Sequence, residues 1–113
     1  MSLTAREIRS IIDEWVGQAQ QFTEEDNYLG KRNEPRFYPW SEPLEVNVNG
    51  KVVNARGENI SKKGVGFVCK QAMRRGDMAG IRPSGETVWI PVRVQHCTQT
   101  VGSYKVGASF QVR

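Results

Sequence analysis

Two short groups of polar residues carry whatever chemistry this chain performs. Arg32 and Arg36 lie four apart on either side of Pro35, and Asn59, Ser61 and Gly64 follow one β-hairpin later. Two arginines in a proline-containing polar segment make a double cation whose planar forks match phosphate oxygens and also guanine O6 and N7. An asparagine amide can bond the edge of a base, a serine hydroxyl both donates and accepts, and a glycine lets backbone approach closely. Together they suit something anionic and planar with hydrogen bonds along its edges, and a guanine nucleotide fits that description.

The elements that must position these residues can be read from periodicity. Thr4 and Glu7 form a T-x-x-E capping box, after which Ile8, Ile11, Ile12, Trp15, Val16 and Ala19 recur on one helical face. An amphipathic helix is therefore expected from Thr4 to about Gln21, within an N-terminal unit of residues 1–22. Its apolar face needs a cover: the chain's own domain, a second copy in a homodimer, or a foreign partner. Residues 23–43 lose the helical pattern and contain Pro35, Pro39 and Pro43, which forbid helix and favour extended backbone. They are expected to form a flexible linker that carries the arginine pair.

From Leu44 the period becomes two. Leu44, Val46 and Val48 alternate with polar residues, and Asn49-Gly50 is a strong hairpin signal. A two-residue turn sets Val46 against Val53 and Leu44 against Ala55. Ala55 and Ile60 both read as inward, yet they are five apart, so a bulge is expected near Gly57. With Ile60 inward, Asn59 and Ser61 should point out. Gly64-Val65-Gly66 suggests a bend, Met78–Arg82 a short strand, and Thr87–Cys97 a long one with Val88, Ile90, Val92 and Val94 on one face. The last strand turns Tyr104, Val106, Ala108, Phe110 and Val112 inward. About six short strands with hairpin connections in residues 44–113 imply a mainly β fold, a small six-stranded antiparallel β-barrel behind an N-terminal amphipathic α-helix.

Composition bounds the partners. The 113 residues carry 16 Lys+Arg against 12 Asp+Glu, a net charge of +4, which favours anionic ligands without demanding nucleic acid. No apolar run approaches the roughly 18–20 residues of a membrane span, and no signal-peptide pattern precedes the helix. Two cysteines supply no disulfide framework, so a reducing cytoplasm is the expected setting. His96, Cys69 and Cys97 lack the spacing of a metal site and read as structural. No nucleophile–base pair or phosphate-loop lysine supports catalysis. By alternation Trp89 and Arg93 face outward, where the helix could cover them or a ligand touch them.

The order Arg-x-x-x-Arg, then Asn-x-Ser-x-x-Gly, then the ending Gly102-Ser103-Tyr104-Lys105-Val106-Gly107-Ala108-Ser109-Phe110 resembles the PilZ domain across residues 31–112. The resemblance implies a bacterial receptor for cyclic di-GMP on a six-stranded barrel, with the arginine segment closing over the ligand. By position, Arg32 and Arg36 would clamp guanine and phosphate, Asn59 and Ser61 would contact the second base, and Gly64 would shape the turn. Asn59 stands where many members carry aspartate. Lys31 is an additional candidate, at a position that influences ligand stoichiometry in the family. The implied protein is not an enzyme, needs no cofactor besides its ligand, and acts through a downstream protein. The alternatives are a PilZ-like adaptor that has lost its ligand, or a small basic barrel that binds nucleic acid.

Overall fold

The computed structural model describes residues 4–22, 24–26, 36–38 and 42–112, with side chains described for 4–18 and 42–112. Helix α1 spans Ala5–Phe22. Its start is held by the capping box: Glu7 N–H donates to Thr4 Oγ1 at 3.2 Å and Thr4 N–H to Glu7 Oε1 at 3.2 Å. Eight strands follow: β1 (Glu24–Asp26), β2 (Arg36–Tyr38), β3 (Pro43–Val48), β4 (Lys51–Ile60), β5 (Gly64–Cys69), β6 (Met78–Pro83), β7 (Ile90–Thr100) and β8 (Ser103–Phe110).

Six of them close a barrel in the order β4-β3-β6-β7-β8-β5, with β5 returning to β4. The β3–β4 hairpin has the expected register, Val46 opposite Val53 and Leu44 opposite Ala55. Asn49 and Gly50 both take positive φ, 53° and 78°, as the tight hairpin turn requires. The bulge falls between Gly57 and Asn59 and returns Ile60 to the interior, where it is fully buried. One expectation fails here: Gly64-Val65-Gly66 is not a bend but continuous strand, paired on both sides to β4 and β8.

The barrel is filled by Leu44, Val46, Ile60, Val65, Phe67, Ile81, Ile90, Val92, Val94 and Val106, all essentially without solvent exposure. Of the three destinations open to the helix, the structure has it on its own barrel. Ile8, Ile12, Trp15 and Val16 are buried in the same cluster, and the Trp15 ring meets Phe110 of β8 with centroids 6.3 Å apart. The segment between helix and barrel contributes two short antiparallel strands, β1 and β2. Strand β2 adds to β4 at the Phe37–Ile60 pair, beyond the last β3–β4 pair at Arg56. No described helix is long and apolar enough to cross a membrane.

Candidate functional site

Strand β4 organises the site because its far end, past the last β3–β4 pair at Arg56, lies between β2 and β5. The Phe37–Ile60 pair sets β2 antiparallel to β4, so one step back along β2 is one step forward along β4. This sets Arg36, the last residue of the arginine motif, next in the chain to the residue that pairs with Ile60, at the end of β4 where the Ser61–Gly64 turn begins. Arg32 and Lys31 lie outside the described residues, as does the side chain of Arg36.

Asn59 and Ser61 do not share one outward face. Asn59 is half-buried on the exterior, but Ser61 is only 5% exposed. The alternation that puts Ser61 outside stops at Ile60, where β4 ends and a tight turn begins. Ser61 N–H donates to Gly64 C=O at 2.9 Å. Its Oγ accepts from Lys63 N–H at 3.3 Å and Gly64 N–H at 3.2 Å. Ser61 thus shapes the turn that displays Lys62 and Lys63, and the expectation of a freely presented hydroxyl is corrected. Gly64 is required for close approach rather than positive φ: a Cβ there would stand 2.6 Å from the carbonyl oxygen of Ala108 on β8.

Three residues outside the motifs complete the surface. Asn59 pairs with Gly66, Gly66 with Gly107, and Gly107 with His96, a row across four strands on the outside of the barrel. Gly66 lies between buried Val65 and Phe67, and Gly107 between buried Val106 and Ala108, so both face outward. The Asn59 amide lies over Gly66, and the His96 ring lies over Gly107. Both glycines are buried beneath these planar side chains, so the amide and the imidazole, not bare backbone, form the floor here. His96, read from sequence as structural, is exposed and lines a cavity of about 170 Å³ with Ser61, Lys63, Gly64, Gln95 and Ser109. The signal that marks these glycines is their position inside alternating strands, where glycine otherwise only weakens a ladder.

Electrostatics around the floor is cationic. Lys62 and Lys63 follow Ser61, and the next outward row carries Arg56 and Lys105. Glu58 reaches Lys105 at 3.8 Å, both partly exposed, a surface pair of small energetic weight. A larger cleft of about 700 Å³ lies where β4 parts from the chain beyond β5, lined among others by Lys51, Val52, Arg56 and Lys70. It contains no residue of the two polar motifs. Among the described residues no group of His, Cys, Asp and Glu could hold a metal ion. Burial pushes the Cys69 thiol above its ordinary value, partly offset by a backbone hydrogen bond with Gln71 that favours the thiolate. Cys69 is thereby an unreactive core residue.

The fold is a closed six-stranded antiparallel barrel with one N-terminal helix. The family model of the PilZ domain matches residues 30–113, and the chain belongs to that family, whose members are cyclic di-GMP-binding receptors and adaptors rather than enzymes. No curated protein matches the chain.

Proposed function

We propose that this protein is a cyclic di-GMP receptor that passes its state to a partner protein. The observation that supports it best is the addition of β2 to β4, which brings the end of the arginine motif to the Ser61–Gly64 turn. In this reading Arg32 and Arg36 clamp guanine and phosphate, with Lys31 as a further cation. Asn59 meets the second base, and Ser61 reaches it with the one hydroxyl proton that its turn leaves over. Gly64 holds the turn, and His96 borders the cavity beside them. The ligand alone is the signal, with no cofactor or metal. It fastens the arginine segment onto the barrel, and the altered seating of α1 is what the partner recognises. A homodimer through the helix would have to use its polar face or release the face now docked on the barrel.

Calorimetric titration with cyclic di-GMP, alongside GMP, cyclic di-AMP and single-stranded DNA, tests the reading. Selective binding is expected. Removing one charge-assisted contact costs about 1.5–3 kcal/mol, roughly tenfold to over a hundredfold in affinity, so Arg32→Ala and Arg36→Ala should each fall in that range. Equal binding by both variants and the unaltered protein sinks the assignment. Salt-sensitive DNA binding would favour the nucleic-acid alternative, and silence toward every ligand the adaptor.

A further inference from the structure

We propose that the free edge of β4 at Val52 and Asn54 is a docking site, where a partner protein adds an acidic extended segment as a further strand. From the reading above it takes only that the protein acts through a partner. It concerns the end of β4 opposite the motif turn and does not depend on cyclic di-GMP.

Backbone hydrogen bonds along an inner strand alternate between its two edges. The two-residue Asn49-Gly50 turn makes Val48 and Lys51 a bonded pair, so Lys51, Val53 and Ala55 turn their N–H and C=O groups to β3. Gly57 keeps that phase, its N–H donating to Glu42 C=O at 2.9 Å. Val52, Asn54 and Arg56 therefore turn theirs to the opposite edge. Strand β5 meets Arg56 at Val68, but its last pair is Cys69 with Ala55, and after Cys69 the chain leaves the sheet. Among the described residues nothing bonds the backbone of Val52 or Asn54 on this side. Where β5 would continue there is instead the cleft of about 700 Å³, bordered by both residues and by Lys70, Gln71 and Ser103.

The strand's own side chains choose the occupant. Val53 and Ala55 are half-buried against the core, while Val52 is 48% exposed on the outer face. A segment of alternating type fits, its apolar side chains continuing the inner face. On the outer face, a carboxylate opposite Asn54 stands diagonal to exposed Arg56, and opposite charges across strands stabilise a sheet. Exposed Lys70, just past the end of β5, adds to the same preference. A second copy is the poorer occupant. Antiparallel pairing of two such edges sets Val52 of one copy opposite Asn54 of the other, with Lys51 and Arg56 of both copies along one seam. Lysine on an edge is a common block to such self-pairing, and an acidic segment escapes it. Strand β8 runs from Ser103 beside the cleft to Phe110 under Trp15, so the edge and α1 stand at opposite ends of the barrel. The edge is then a constant hold on the partner, and the helix stays free to respond to ligand.

The test uses the full chain and a capped peptide of about six residues, the length of a common strand, alternating glutamate and valine. Fluorescence anisotropy and residue-resolved amide hydrogen exchange follow its binding, with and without cyclic di-GMP. Binding is expected in both conditions. It should slow exchange at the Val52 and Asn54 amides and leave Lys51 and Val53, already bonded to β3, as they are. A peptide alternating lysine and valine should bind about tenfold more weakly or worse. In antiparallel pairing the glutamates lie opposite Val52 and Asn54, so methylating their amide nitrogens should abolish binding, and methylating those of the valines should not. Val52→Pro removes an edge donor without touching the β3 ladder and should weaken binding about tenfold, the loss of one hydrogen bond. Lys70→Glu leaves the backbone alone, should weaken binding a few-fold, and keeps the test open if Val52→Pro does not fold. No binding of the glutamate peptide, indifference to which nitrogens are methylated, or unprotected Val52 and Asn54 amides would each overturn the proposal. A dimer of the free protein that Val52→Pro dissolves would give the edge to a second copy and overturn it equally. Failure to bind cyclic di-GMP would remove the receptor reading and leave this result standing.

Discussion

The same local device appears on two outer faces of the barrel with opposite results. On the β3–β6–β7 side, Trp89 lies over Gly80. Arg82 then covers Trp89, its guanidinium carbon 4.0 Å from the ring centroid, and binds Glu45 Oε1 through Nε at 3.2 Å. Ring, cation and carboxylate satisfy one another above the half-buried glycine. On the β4–β5–β8–β7 side, Asn59 lies over Gly66 and His96 over Gly107, but these planar groups border a cavity under a rim of unlike composition, rich in lysine and arginine. Strand glycines can serve packing or recognition. What differs is the cover above these planar groups: a cation–π contact on one face, a cavity on the other. The outward patch of Trp89 expected from alternation is therefore taken by Arg82.

Glycine substitutions break this comparison most directly. Gly64→Ala should be the most damaging, because its Cβ would strike the Ala108 carbonyl and backbone cannot yield as a side chain can. A loss of about 2–3 kcal/mol, the upper part of the overpacking range, is expected in urea unfolding. Gly66→Ala displaces the Asn59 amide, which would stand 2.6 Å from the new Cβ. Its stability should change little, since alanine also removes the entropic cost of a strand glycine, roughly 0.5–1 kcal/mol. Its affinity for cyclic di-GMP should fall about tenfold, one hydrogen bond's worth of roughly 1.4 kcal/mol. On the Trp89 face, Arg82→Ala should cost about 1 kcal/mol in thermal or urea unfolding, combining a cation–π contact with a half-buried ion pair, and leave ligand affinity untouched. If Arg82→Ala impaired binding and Gly66→Ala did not, the two faces would have been assigned the wrong way round.

Much of the scaffold was legible because it is encoded locally. The capping box, the helical stripe, the Asn49-Gly50 turn and its register, the bulge and the inward faces of β7 and β8 each follow from residues within a few positions of one another. The end of β4 was misread for the same reason. Alternation extended by one residue puts Ser61 outside, whereas the backbone turns after Ile60 and the hydroxyl closes that turn. The long strand was read as Thr87–Cys97, but pairing with β8 carries it from Ile90 to Thr100. Strands β1 and β2 lack any alternating pattern of their own, being three residues each, and exist as partners of β4 and of each other.

By itself the sequence determined the PilZ family, the barrel's inward residues and the identity of both polar motifs. Those are properties of spacing along one chain. The tertiary structure decided what lies beside what: Arg36 at the end of β4 where the Ser61 turn begins, two strand glycines seating the Asn59 amide and the His96 ring, and the helix docked on the barrel. Such neighbours belong to strands tens of residues apart. Only barrel closure, driven by burial of the common apolar core, brings them within reach of one another.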